Sequence, residues 1–281
     1  MLFSFRSGMN EVAAALFATL FPADCRLCGN PLTNISRLPV CEACLSALHP
    51  ISGVLCSICG ERVEAGFAPV ANPEVARCGL CARLEPPFIK AAAYGSYESG
   101  LRELIHLLKY EQVRPAANVL GRMLAEAIDN LRPLFGPQPP LVVPVPLHVR
   151  KARQRGFNQT ELIARAATKR MSTESRLAVA AGVLVRKRET QSQIGLSRHQ
   201  RRENIRGAFA VAKPDAISGR DVLLVDDVFT TGTTVSECAR VLRRAGASKV
   251  YVATVARTLK AEAEHALSQA EPEQFAMAAA V

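Results

Sequence analysis

Val222-Leu-Leu-Val-Asp-Asp-Val-Phe-Thr-Thr-Gly-Thr-Thr234 is the stretch on which the fold turns. Val222 to Val225 are apolar and mostly branched, the pattern of a short buried strand. That strand delivers two carboxylates, Asp226 and Asp227, to its C-terminal end. A small, hydroxyl-rich loop around Gly232 follows and opens a helix over roughly Thr233 to Ala245. With no bulky side chain in the way, the backbone N–H groups of such a loop form an anion nest at a helix N-terminus. Thr230, Thr231, Thr233 and Thr234 add hydroxyl donors. Acids beside an anion nest conflict unless one ligand offers both a phosphate and hydroxyls or a cation. A ribose 5-phosphate does so, giving its diol to the acids and its phosphate to the nest. Neither G-x-G-x-x-G nor G-x-x-x-x-G-K-[ST] occurs, which excludes the commonest dinucleotide and nucleoside-triphosphate loops.

Upstream and downstream, strand and helix patterns alternate. Ala91 to Tyr97, Leu141 to Val145 and Val250 to Val255 have strand character. Leu101, Leu104, Ile105 and Leu108 fall on one face of a helix. Further helices are predicted over Ala116 to Ile128 and Asn158 to Lys169, with a proline-rich turn from Phe135 to Pro140. This order implies an α/β unit with a mainly parallel sheet. Val235, Cys238, Ala239 and Leu242 share the i, i+3, i+4, i+7 stripe of the helix after Gly232, so Cys238 is expected to pack as a small hydrophobe. The organisation expected is an amphipathic helix at 1–22, a cysteine-rich domain at 23–87, the α/β domain at 88–260 and a flexible tail at 261–281.

Eight of the nine cysteines form four C-x-x-C pairs, Cys25/Cys28, Cys41/Cys44, Cys56/Cys59 and Cys78/Cys81. Two such knuckles complete a tetrahedral four-sulfur shell, which suits Zn²⁺ or, less often, an iron–sulfur cluster, and which leaves no open position for catalysis. The metal is therefore structural. Gaps of 12 and 18 residues within the first and last two pairs favour a sequential assignment. The first site then takes Cys25, Cys28, Cys41 and Cys44, and the second takes Cys56, Cys59, Cys78 and Cys81. An interleaved arrangement satisfies the same spacing.

Charge is unevenly placed. Residues 1–140 carry 12 Lys/Arg and 12 Asp/Glu, and residues 141–281 carry 23 and 13, so the whole net charge of +10 sits in the second part. Such a balance suits a polyanionic ligand, although a solvated basic face gives the same count. The apolar run from Val12 to Phe21 is too short to cross a bilayer, and no other stretch is long and apolar enough. Paired thiols of this kind point to a reducing, cytoplasmic setting.

The Val222–Thr234 stretch resembles the phosphoribosyl pyrophosphate (PRPP) loop of type I phosphoribosyltransferases. The resemblance implies that Asp226 and Asp227 take the ribose hydroxyls and that Thr230, Thr231, Gly232, Thr233 and Thr234 take the 5′-phosphate. More narrowly, the cysteine pairs, Leu101-Arg-Glu-Leu-Ile-His-Leu-Leu-Lys-Tyr110, Val143-Pro-Val-Pro-Leu-His148, Arg155-Gly-Phe-Asn-Gln159, Gln191, Gln193, Arg201-Arg-Glu-Asn204 and Gly207-Ala-Phe209 look like the ComF family. That family implies a double zinc ribbon ahead of a type I phosphoribosyltransferase-like fold. It also implies a part in DNA uptake, with single-stranded DNA and the competence machinery as partners. The turn after Pro146 then places Arg150, Lys151, Arg153 and Arg155 near pyrophosphate, which Mg²⁺ would bridge. Arg186 to Arg206, with seven Lys/Arg against two Glu, resembles the lid of these enzymes and offers Arg198 and Arg202; an exposed loop binding nothing is the plainer alternative. Some purine-base transferases carry an Asp where this chain has Thr230. An active transferase in nucleotide metabolism therefore stands beside a PRPP-responsive DNA-handling module.

Overall fold

The structure is a computed structural model that describes residues 23–32, 36–63, 75–173, 176–190 and 197–259. The helix expected over 1–22, Gln191, Gln193 and the tail over 261–281 lie outside the described residues.

Two five-residue helices, α1 (Glu42–Ser46) and α2 (Gly79–Arg83), mark the cysteine region, and each begins directly after a cysteine, Cys41 or Cys78. The α/β part follows as β1 (Ala91–Ser96), α3 (Ser99–Lys109), α4 (Ala116–Asp129), β2 (Leu141–Pro144), α5 (Val149–Arg155) and α6 (Gln159–Arg170). It continues with β3 (Leu184–Arg186), α7 (Arg198–Ile205), β4 (Phe209–Val211), β5 (Val222–Phe229), α8 (Thr233–Arg244) and β6 (Val250–Arg257).

The main sheet is parallel throughout, in the order β1-β6-β5-β2. A strand covered on both faces has no polar side to show, which is why β6 is buried at every position and lacks alternation. On one face, Leu104, Leu108, Leu120, Leu124 and Ile163 from α3, α4 and α6 meet Leu223, Val225, Tyr251 and Ala253. On the other, Val235, Cys238 and Leu242 of α8 meet Val222, Leu224, Val250 and Val252. Cys238 is fully buried there. Helices α4 and α6 pack closely at Gly121, where a Cβ would come within 2.6 Å of the Ala166 side chain.

The cysteine region is fastened to this core. Cys25, Leu38 and Val40 join the first face, and Cys56, Cys59, Cys78 and Cys81 join the second. Main-chain bonds also tie it to the outer strand. The Ala91 N–H donates to the Ile58 carbonyl at 2.7 Å, and the Ile51 N–H donates to the Tyr94 carbonyl at 2.7 Å.

Three elements depart from the sequence-based expectation. The strand expected over Val222–Val225 runs on to Phe229, because β6 pairs with it as far as Arg257. The basic segment after Pro146 includes helix α5, which the left-handed Gly156 ends. Between Arg186 and Arg206 lies α7, opened by a capping box of Ser197 and Gln200, and β3 pairs antiparallel with β4 around it. Among the described residues, no helix is long and apolar enough to cross a membrane.

Candidate functional site

Consecutive residues of a strand face opposite sides, so Asp226 and Asp227 have different neighbours. Asp227 is buried. Its Oδ2 lies 2.9 Å from Lys109 Nζ and accepts a 2.8 Å hydrogen bond from Gln159 Nε2. Lys109 closes α3 and Gln159 opens α6, so two helices converge on one carboxylate oxygen. Burial works against the Lys109 ammonium, but the charge and hydrogen bond of Asp227 outweigh it and raise its pKa above the ordinary lysine value.

Asp226 accepts the Asp227 N–H on Oδ1 at 2.9 Å. Burial, and then the charge of Asp227, push its carboxyl up to about 7, against the pull of Lys109, the Asp227 N–H and Arg186. The two acids are thus unlike: one is pinned by a cation and an amide, and the other takes up a proton near neutrality. Asp227 Oδ1 and Asp226 Oδ2 keep no hydrogen-bond partner among the described residues.

The loop turns tightly after Phe229. Gly232 sits at φ 73° and caps α8. A Cβ there would lie 2.6 Å from the Phe229 ring, so the position takes glycine on both counts. The Thr231 and Thr233 hydroxyls share a 2.8 Å hydrogen bond. The first N–H groups of a helix lack upstream carbonyls, and those of α8 open onto this loop.

The basic residues disperse. Arg150 is exposed and lies 3.6 Å from Glu189, and Lys151 and Arg153 are also exposed. Arg155 instead turns inward. Its Nη1 donates to Gln159 Oε1 at 2.5 Å, and its guanidinium lies over the Tyr110 ring at 5.6 Å. Gln159 therefore bridges Arg155 and Asp227. Arg202 lies on the wall of a cavity beside the loop, while Arg198 begins α7 with its side chain outside the described residues. Sequence reasoning gave no role to Lys109, Gln159 or Arg257; the first two stood only among the family-like motifs.

The thiols gather as Cys25, Cys28, Cys41, Cys44 and as Cys56, Cys59, Cys78, Cys81, with the sulfurs of each group within 4.8 Å of one another. Burial pushes the Cys25 thiol up, yet backbone N–H groups of Cys41, Cys28 and Leu27 hold it at about 6. A hydrogen bond with Cys59, with backbone N–H groups assisting and burial opposing, holds Cys56 at about 4. Each cluster therefore starts with a readily formed thiolate, the form that binds metal. Four sulfurs per group fit a structural zinc with no vacant position. Cys41→Ser is expected to lower zinc content from two ions per chain to one and to loosen the first ribbon, because metal binding there is folding free energy. Metal analysis of the purified variant checks this; two retained ions contradict it.

The second cluster touches the loop's support. Arg257, at the end of β6, binds Glu61 at 2.8 Å with both side chains buried. Its Nη1 donates to the Cys59 carbonyl, and Nη2 lies 3.8 Å from Cys59 Sγ. The same guanidinium stands 4.6 Å over the Phe229 ring, which packs beneath Gly232.

A parallel α/β sheet ending in paired acids and a threonine-rich anion loop, joined to two four-cysteine clusters, defines a phosphoribosyltransferase-type protein with a double zinc ribbon. Family models agree: residues 159–272 match the phosphoribosyl transferase domain, and residues 16–82 match the double zinc ribbon domain. The DNA utilization protein YhgH of Escherichia coli (strain K12) is 33% identical over 239 residues, spanning 85% of this chain and 98% of the relative. Competence protein F of Haemophilus influenzae is 30% identical over 224 residues, spanning 77% and 96%. Competence protein ComFC of Bacillus subtilis is 24% identical over 207 residues, spanning 74% and 79%. The chain belongs to the ComF family.

Proposed function

We propose that this protein binds PRPP or a related ribose phosphate and serves DNA uptake and the handling of single-stranded DNA. The observation that carries this reading is the juxtaposition at the end of β5. Asp226 and Asp227 suit a sugar diol, and Thr230 to Thr234 around Gly232 suit its 5′-phosphate. Mg²⁺ would accompany the pyrophosphate as a bridging cation, with Arg150, Lys151, Arg198 and Arg202 as candidate partners for its charge. The names of the relatives supply the biological setting, DNA utilization and competence. The cysteine clusters suit a reducing, cytoplasmic compartment.

Calorimetry with PRPP and magnesium on the zinc-loaded protein tests the ligand. No heat at millimolar PRPP would remove the reading. Single-stranded DNA binding through phosphate contacts is expected to weaken steeply with salt and to ignore sequence.

The unlike acids give the site a pH signature. Asp226 is raised to about 7, so it is ionised above that pH and protonated below it. An ionised carboxylate is the stronger acceptor for a ribose hydroxyl. PRPP affinity is therefore expected to fall as pH drops through about 7. The ligand's own phosphates titrate near pH ~6, so Asp226→Asn is the control. It should flatten the part of the profile that belongs to the protein; an unchanged profile contradicts the assignment.

A further inference from the structure

A nest of backbone N–H groups grips a phosphoryl group only while those groups converge. What keeps the loop from Thr230 to Thr234 in that shape lies beneath it. Gly232 rests on the Phe229 ring so closely that a Cβ would come within 2.6 Å of it. A tilt of the ring is therefore passed to the loop, since a close-packed interior transmits small displacements.

The backbone alone does not set that tilt. The register of β5 and β6 pairs Phe229 with Arg257, and the Thr258 N–H donates to the Phe229 carbonyl at 3.0 Å. These bonds fix the main chain and leave the side-chain torsions to their surroundings. Two side chains brace the ring. Phe88 meets it edge to face with centroids 6.2 Å apart, and the Arg257 guanidinium covers its face at 4.6 Å.

The second brace is anchored outside the sheet. Arg257 reaches the Glu61 carboxylate at 2.8 Å, donates to the Cys59 carbonyl and stands 3.8 Å from Cys59 Sγ. Both partners belong to the knuckle from Cys56 to Glu61, which the Cys56 N–H closes on the Glu61 carbonyl at 2.7 Å. A planar guanidinium can stack on a ring and hydrogen-bond in its own plane at once, which an ammonium cannot do. Arg257 is 3% exposed and Glu61 6%, so water competes little for either group. Burying such a pair adds little net stability over apolar side chains of the same volume. Orientation is what it contributes instead.

We propose that Arg257 is a positioning residue for the phosphate loop. Anchored on Cys59 and Glu61, it sets the Phe229 ring and through it Gly232, so the second ribbon governs how tightly the loop grips a phosphoryl group. The ligand in this statement rests on the sugar-phosphate reading; the geometry rests on packing alone.

Arg257→Met with Glu61→Leu, made in the full-length, zinc-loaded protein, tests it. The pair strands no buried charge, and the flexible methionine refills the space while anchoring to nothing. A purely structural role predicts a protein like the parent once stability is recovered. A positioning role predicts two defects that outlast the recovery. PRPP affinity by calorimetry should fall about tenfold, which is ~1.4 kcal/mol, the scale of one hydrogen bond lost from the loop. In NMR, the Gly232 α-proton resonances, displaced in the parent by the Phe229 ring current, should move toward ordinary glycine positions. Arg257→Lys keeps a cation for Glu61 without the planar face, so it should show the same two defects, and it serves if the double variant does not fold. Parent-like affinity and resonances overturn the proposal, and so does either defect without the other. A parent protein that gives no PRPP heat removes the sugar-phosphate assignment. The Gly232 resonances then decide alone: displaced in the variants, they support the positioning role, and unmoved, they overturn it.

Discussion

Asp226→Asn combined with Asp227→Asn is expected to weaken PRPP binding by about 10²–10⁴-fold, because hydrogen bonds to charged groups contribute ~1.5–3 kcal/mol each. Both zinc ions should stay bound, since neither cysteine cluster includes these acids. The variant also leaves Lys109, 16% exposed, facing an amide instead of a carboxylate. Some stability is lost with it, for a buried cation without its partner is costly. Pairing the two Asn changes with Lys109→Met removes that cost and leaves the binding defect. Calorimetry and zinc analysis on both proteins separate ligand recognition from folding. Unchanged PRPP affinity in either one refutes the role given to the acids.

Arg257→Met is expected to have the largest effect on stability, about 3–5 kcal/mol, because removing one partner of a buried ion pair, here the cation beside Glu61, is strongly destabilising. It also removes the donor to the Cys59 carbonyl and the cation over Phe229. Adding Glu61→Leu should recover much of the loss, since a buried pair replaced by apolar side chains is often neutral. Denaturant unfolding of the single and double variants checks both statements. If Arg257→Met unfolds with the parent's midpoint, the ion pair is not what joins the second ribbon to the sheet.

The strand, the acids and the Thr/Gly loop were legible because they are contiguous, so local pattern alone carries them from Val222 to Thr234. The cysteine pairs were legible for a similar reason, since two-residue spacing is a covalent constraint on where thiols can point. Spacing could not choose between sequential and interleaved clusters; the packing of each half against a different face of the sheet brings the sequential groups together. What stayed hidden depends on contacts between distant residues. Gln159 reaches Asp227 across 68 positions, and Arg257 reaches Glu61 across 196. Nothing local marks Lys109 as the partner of an acid in another strand, because a lysine at a helix end is ordinarily solvated. Helix α5 was missed for the opposite reason. It is short, four of its seven residues are basic, and it has no apolar stripe for periodicity to find.

Strand β1 is the outermost of the four, and the cysteine ribbons hydrogen-bond along its free side. An unprotected outer strand is a template for pairing with other molecules. Trimming the chain at residue 88 to isolate the sugar-phosphate half would therefore strip away a guard rail, and the shortened protein should tend to aggregate through β1 rather than stay dispersed.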